Sequence, residues 1–536
     1  MRAPFFIATL FSICILVVCC SNDNHKQTKE CNHIQPAGRI PDLSIPGSFI
    51  KTNEIILDSN DIVKFIDSFP KFKTISTELN IFYKKRKYAL AWFDKSEMTE
   101  PAQHLYNSVI NIQSDGLPDK ILYKEKLILL KEGYEADPIK KNQLEIMLTA
   151  QYLSYAKLAW NGLSKQQLTA INWYLPRKES SYSELLDSLL KGKDVLEKTP
   201  VYYQYDLLKK QLQRFATIKL QGGWLIIENI KKKYDKGDTA TAISKVKRRL
   251  FITGEYKQNE FGNVFDSVLK QAIISYQQST GVKETGLITP ELITSLNIPV
   301  EKRIEDIIVN MERCRWLPVE LGHGYLLINI PEYRVHLFEH DSLQWDMKIV
   351  VGKSKNRTAI FSGEIKYVVF CPYWNIPASI LKKEILPAIK RNPNYLNKHH
   401  MEWHDGGVRQ LPGADNALGL VKFLFPNSHS IYLHDTPSKS LFESDKRAFS
   451  HGCIRLAEPM RLAKYLLKND EKWDDDKIVA AMSAGTEKYV VIKNPLPVYI
   501  TYLTSWVDNK GTLQFRDDVY ELNKRLLKMI LDKPVL

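Results

Sequence analysis

A cysteine, Cys453, stands in the run Ser450-His451-Gly452-Cys453-Ile454-Arg455-Leu456, with a histidine two places before it. A second histidine, His434, lies upstream at the end of the apolar, β-prone run Ile431-Tyr432-Leu433-His434, which reads as a strand. A thiol attacks well only as its thiolate, and an imidazole held beside it can take the proton. Gly452 lets the chain turn tightly, so backbone N–H groups near Cys453 can face a developing oxyanion. One ring nitrogen of His434 would receive the proton; the other needs an acceptor, such as a backbone carbonyl, to fix the tautomer. This set could carry acyl transfer through a thioester on Cys453. On spacing alone a competing reading stands beside it, because an isolated cysteine is often a small buried hydrophobe.

The run Ser450-His451-Gly452-Cys453-Ile454-Arg455, with His434 upstream, resembles the signature of the L,D-transpeptidase (YkuD-type) catalytic domain. The resemblance implies that Cys453 is the nucleophile and His434 the general base and acid. It places Ser450, His451, Gly452 and Arg455 around the oxyanion and pocket. The implied substrate is the peptide stem of peptidoglycan: Cys453 attacks the carbonyl of the third residue, D-alanine leaves, and an amine of a second stem takes the acyl group in a 3-3 crosslink. Water as acceptor would make the enzyme an L,D-carboxypeptidase, and a protein amine would make it a protein-anchoring transferase. A vestigial catalytic domain on a peptidoglycan-binding scaffold is the rival outside enzymology. A papain-like amidase needs its own motif around the cysteine, which is absent. The chemistry calls for no cofactor and no metal, and the paired imidazole is expected to stabilise the thiolate.

The elements that must hold these residues read as a multidomain α+β chain. From Tyr325 the pattern is strand-like: Tyr325–Ile330, Tyr333–Phe338, Trp345–Val351 and Ile365–Phe370, then Tyr489–Ile492 and Val498–Leu503. A catalytic domain is expected over 325–495, with strands and a helix of 496–536 packed on it and a hairpin through Asn509-Lys510. The strand pattern stops over 379–419, where a helix is expected over Ile380–Lys390 despite Pro387. By the resemblance this stretch is a helical capping insertion over the cleft. Pro412-Gly413 and Asn416-Ala417-Leu418-Gly419 resemble the family's turn before the strand to His434. His399, His400 and His404 cluster here, but their spacing fits no metal site.

Upstream, residues 50–240 are mostly helical. Ile62, Phe65 and Ile66 share one helix face, as do Leu144, Leu148, Tyr152 and Tyr155. Aromatic residues such as Trp92 are expected in the core at this spacing rather than on a sugar-stacking platform. The pieces Leu90-Ala91-Trp92, Asp115-Gly116-Leu117 and Gly222-Gly223-Trp224 resemble the scaffold domain of YcbB-like L,D-transpeptidases. Residues 241–299 make three helical stripes, the last opened by Thr289 as cap and Pro290 at the first position. They are similar to a three-helix peptidoglycan-binding domain, and a linker helix is expected over 300–324.

The N-terminus bears on location. Arg2 precedes an apolar run, Phe5–Val18, too short for a comfortable span and typical of a signal segment. Cys20, or Cys19, is the lipidation candidate of a lipoprotein-type signal over 1–20, followed by a flexible stalk over 21–49. An uncleaved anchor is the alternative; both place the protein in the bacterial envelope (periplasm), tethered to the membrane. The 536 residues carry 75 Lys+Arg against 61 Asp+Glu, a net +14, and a basic surface can attract nucleic acid, anionic lipid or an acidic polymer. Lys231-Lys232-Lys233 and Lys247-Arg248-Arg249 read as solvated helix faces, so nucleic acid is not indicated. The cysteines show no CxxC spacing. Cys314 and Cys371 are expected in the core, with a disulfide between them as the alternative.

Overall fold

The computed structural model describes residues 56–94, 97–176, 181–190, 201–228, 230 and 232–532. The signal segment, the stalk, Cys19, Cys20, Cys31 and Lys231 lie outside the described residues. Among those described, no helix is long and apolar enough to cross a membrane.

The helical region is organised on the 24-residue helix Pro138–Asn161, capped by Asp137, whose carboxylate accepts from the N–H groups of Ile139 and Lys140. Its residues from Leu144 to Ala156 are all buried, so over this stretch the helix has no solvent face and forms the centre of this region. Trp92 is fully buried and donates to Thr149 Oγ1 at 2.8 Å, a core residue as expected. Gly162, at φ +59°, ends the helix; a Cβ there would meet Trp316 Nε1 at 2.6 Å.

The small three-helix unit is Thr241–Thr253, Ser267–Thr280 and Pro290–Leu296, around Ile243, Val246, Leu250, Ile273 and Leu292. Thr289 caps the last helix by accepting from Leu292 N. Its core also takes in Ile227 and packs Tyr234, so it starts earlier in the chain than Thr241. The expected solvated face at Lys247-Arg248-Arg249 needs correction. Lys247 pairs with Asp266, and Arg249 lies over the Trp224 ring at 3.6 Å while donating to Leu296 O. Only Arg248 is exposed; the long stems of the other two pack while their charged heads find partners.

Helix Val300–Cys314 does more than link. Arg315, just past its end, donates to Ala159 O in the helical region and pairs with Glu312. Arg313 reaches Thr504 and Asn523 near the C-terminus. Cys314 and Cys371 are buried and free, so the disulfide alternative is not realised.

The region that carries Cys453 is a nine-stranded mixed sheet: β1 (Gly324–Asn329), β2 (Arg334–Glu339), β3 (Ser342–Gly352), β4 (Ser362–Phe370), β5 (Val421–Leu424), β6 (Leu433–His434), β7 (Ala448–Ser450), β8 (Ile454–Leu456) and β9 (Lys488–Thr501). The order is β7-β3-β8-β6-β5-β4-β9-β1-β2, and β2 also pairs with β3, so the sheet closes on itself. Strand β9 runs unbroken where two strands were expected. A bulge between Val491 and Leu496 carries it past Asn494-Pro495, so the prolines bend the strand rather than end it.

The capping insertion is not purely helical. Helical turns cover Ala378–Arg391 and Tyr395–Lys398, with a wide π turn at Leu381–Ile385 before Pro387. A hairpin follows, Met401–His404 and Gly407–Gln410, joined to Trp374–Asn375 in a separate three-stranded sheet. Asp405 and Gly406 both have positive φ, the conformation a two-residue hairpin turn requires.

Candidate active site

Cys453 sits in the turn between β7 and β8, and Gly452 before it has φ +126°, a conformation that favours glycine. The buried Ser450 side chain pins this turn: its hydroxyl donates to Cys453 O at 2.6 Å and accepts from Gly452 N at 3.1 Å. Thr358 adds a second clasp, donating to Gly452 O at 2.8 Å and accepting from Gly352 N at 2.9 Å. Tyr520, far along the chain, donates to Gly352 O.

Strands β6 and β8 are parallel neighbours with Leu433 opposite Ile454 and His434 opposite Arg455. Alternation along each strand therefore sets Tyr432, His434, Cys453 and Arg455 on one side of the sheet. On the other flank of β6, Lys422 of β5 lies opposite His434.

His434 is buried, and its Nδ1 meets Asp435 O at 2.5 Å. With Nδ1–H donating to that carbonyl, Nε2 keeps its lone pair. Burial, and then the Arg455 guanidinium, push the imidazole pKa down to about 3, so the ring is neutral near pH 7. Burial raises the Cys453 thiol above its ordinary value, while the Tyr432 N–H and hydroxyl work in the opposite direction. Near pH 7 the imidazole is thus held neutral, and burial works against the thiolate that the paired imidazole is expected to stabilise. The reason is that both groups are desolvated and the nearest cation opposes imidazolium. Nor does the thiol bond to His434 in this structure; it donates to Ser430 O at 3.6 Å.

The remaining sequence-predicted residues divide. Arg455 lines the same side as Cys453, and its Nε is buried with no partner. His451 turns away from the thiol to meet Glu384 of the capping insertion, Nε2 to Oε1, at 3.1 Å. The Gly452 N–H is already committed to Ser450. Lys439 and the Leu420 N–H hold the buried Asp435 carboxylate, against which Gly419 packs so closely that a Cβ would lie 2.4 Å from Cγ. Asn416 braces the same turn by donating to Pro372 O and Leu411 O. The histidines of the cap diverge: His399 packs at a tilt against Tyr395, His404 meets Asp405 and Arg409, and His400 faces Asp415. Among the described residues no group of three or more His, Cys, Asp or Glu is placed to hold a metal ion.

Sequence reasoning missed Tyr432, Ser430 and Glu384. Tyr432 was findable, since a residue two before His434 on a strand shares its face. Ser430 acts through its carbonyl, and Glu384 through tertiary contact, so neither carries a sequence signal.

Residues 323–492 match the family described as L,D-transpeptidase catalytic domain (YkuD), and residues 77–212 match the one described as scaffold domain. A Haemophilus influenzae protein described as "Putative L,D-transpeptidase" is 29% identical over 253 residues, 43% of this chain and 51% of that protein. The chain thus spans about half the length of the curated relative it matches. An L,D-transpeptidase from Mycobacterium smegmatis is similar at 13% identity over 33% of this chain and 58% of that one, with a TM-score of 0.20. One from Stackebrandtia nassauensis is similar at 11% identity over 50% and 94%, with a TM-score of 0.21.

Proposed function

We propose that this chain, in which an L,D-transpeptidase catalytic domain is joined to a scaffold domain, is a cysteine acyltransferase acting on the peptide stems of peptidoglycan. The observation that carries the reading is that Cys453 and His434 share one side of adjacent parallel strands, with His434 Nδ1 held by Asp435 O.

Both groups are neutral at rest, so deprotonation accompanies attack. As the thiol swings from Ser430 O toward His434, Nε2 takes the proton and Sγ bonds to the carbonyl carbon of the third stem residue. The Gly452 N–H donates to Ser450, so the candidate donors to the oxyanion are the Cys453 N–H, the unpartnered Arg455 Nε–H and the Tyr432 hydroxyl. Collapse breaks the amide bond, and the imidazolium gives its proton to the departing D-alanine amine. A side-chain amine of a second stem then attacks the thioester, loses its proton to His434 and frees the thiol, leaving a 3-3 crosslink. Ser450 and Gly452 hold the turn, and His451 ties it to the cap. No step calls for a cofactor or metal. The helices of 241–299 are the candidate glycan contact, and a lipid on Cys20, or on Cys19, would tether the enzyme in the envelope.

The test incubates the soluble protein with a disaccharide-tetrapeptide and reads products by mass spectrometry. A 3-3 dimer with free D-alanine, absent with Cys453→Ala, is the expected result. Tripeptide without dimer would assign carboxypeptidase activity. No product with retained binding to cell-wall sacculi would replace the reading with a binding scaffold.

A further inference from the structure

The thiol of Cys453 donates to a carbonyl that is itself held in an unusual way. Ser430 has φ +54°, a left-handed conformation that a serine adopts only when its surroundings impose it. Within its loop, Asn427 supplies part of that constraint. Its amide donates to Phe425 O at 2.6 Å and Ile431 O at 2.8 Å, and its Oδ1 accepts from His429 N and Ile431 N. The other part comes from the scaffold domain. The ring of His429 lies between two aromatic rings, Tyr174 at 4.6 Å and Phe361 at 4.8 Å between centroids.

Tyr174 falls inside the span that matches the scaffold domain, whereas Phe361 and His429 fall inside the catalytic match. The seam between them is backbone-paired. Tyr174 N donates to Ile360 O at 2.7 Å, Ile360 N donates to Asn172 O at 3.3 Å, and Trp173 bridges Ile360 in parallel register. Asn172, another non-glycine residue with positive φ, accepts from the Tyr174 hydroxyl at 3.2 Å. The neighbouring Trp173 is buried edge-on against Trp316 at 5.0 Å. The presentation of Tyr174 is therefore fixed from the scaffold side.

We propose that Tyr174 and His429 are positioning residues for the nucleophile: through them the scaffold domain holds the Ser430 carbonyl against the Cys453 thiol and so sets where the thiol and its proton rest. This rests on the reading of Cys453 as the nucleophile. The chemistry follows from the acceptor. A carbonyl oxygen can accept from S–H but only repels a thiolate, so this contact favours the neutral thiol and raises the pH at which it ionises. Neither ring touches the thiol, so both act only through Ser430.

The measurement is the pH dependence of Cys453 alkylation by iodoacetamide in the full chain, followed on the Cys453 peptide by mass spectrometry. With Tyr174→Ala or His429→Ala the midpoint is expected to fall by about half a unit or more, which is about threefold faster alkylation below the midpoint. Tyr174→Phe, which keeps the ring, should restore the wild-type curve. The double variant should shift no further than either single one, since both act on one link. A variant that fails to fold is replaced by Tyr174→Leu or His429→Leu, which keep bulk without an aromatic ring. A merely structural contact would lower stability and leave the midpoint where it is. Wild-type midpoints in folded Tyr174 and His429 variants would overturn the proposal. Because alkylation reads the thiol itself, this outcome is separate from whether the enzyme crosslinks stems.

Discussion

In the scaffold region the buried carboxylate of Glu145 is fully met: one oxygen accepts from Ala91 N at 2.8 Å and Tyr83 OH at 2.9 Å, the other from Trp92 N at 2.9 Å. In the catalytic region the buried Arg455 Nε has no partner, and the thiol makes a long bond to Ser430 O rather than one to His434. The two places bury comparable polar groups. One closes its hydrogen bonds and ties three segments of the chain together. The other leaves a buried guanidinium N–H unmet on one side of a sheet, at a cost to stability, where the proposed substrate would meet it. Burial shifts titration at both, raising Glu145 and lowering His434; beside Glu145 the shifted Tyr83 donates to the carboxylate itself, whereas Cys453 donates to Ser430 O rather than to His434.

The comparison breaks most sharply at His434. His434→Gln should lower kcat for D-alanine release by roughly 10²- to 10⁴-fold, the range for a general base, with the fold intact by circular dichroism; unchanged turnover would remove its role. Next in size, Glu145→Leu leaves the Ala91 and Trp92 N–H groups buried without acceptors. It should cost about 3 kcal/mol in urea unfolding, while the protein that remains folded keeps its activity per molecule. A loss of activity without a loss of stability would mean the two regions are not divided as described.

A pH effect sharpens the contrast. The folded His434 pKa, about 3, lies below the ordinary 6.5. Between these values the unfolded chain binds the extra proton, so stability falls as pH drops below 6.5. From pH 8 to pH 5 the wild type should lose roughly 2 kcal/mol through this group, which His434→Gln retains. Equal pH dependence in both would contradict the buried neutral imidazole. The smallest expected effect is at the cap. Glu384→Gln removes only an exposed contact to His451, worth under about 1 kcal/mol, so KM should change by no more than about fivefold and kcat hardly at all.

Much of this was legible because local chemistry and local structure agree. The β-prone lead-in to His434 ends in a short strand, Leu433–His434, Thr289 with Pro290 opens a helix, and the Gly452 turn has the positive φ that glycine permits. What was not legible depended on distant partners. The unbroken β9 needs β4 beside it to show that its prolines lie at a bulge. The buried Arg249 needs Trp224. The raised thiol follows from desolvation and the neutral imidazole from desolvation and then Arg455, neither of which a motif encodes. The cap hairpin was available in Asp405-Gly406, but the helical pattern of the preceding residues drew the whole insertion toward helix.

The most direct measurement is intact and peptide mass spectrometry of the chain during turnover of a tetrapeptide stem. The account predicts a tripeptide-stem acyl adduct on the peptide containing Cys453, formed as D-alanine is released and discharged by added amine. D-alanine release at the wild-type rate from Cys453→Ala, or an adduct on any other residue, would contradict it.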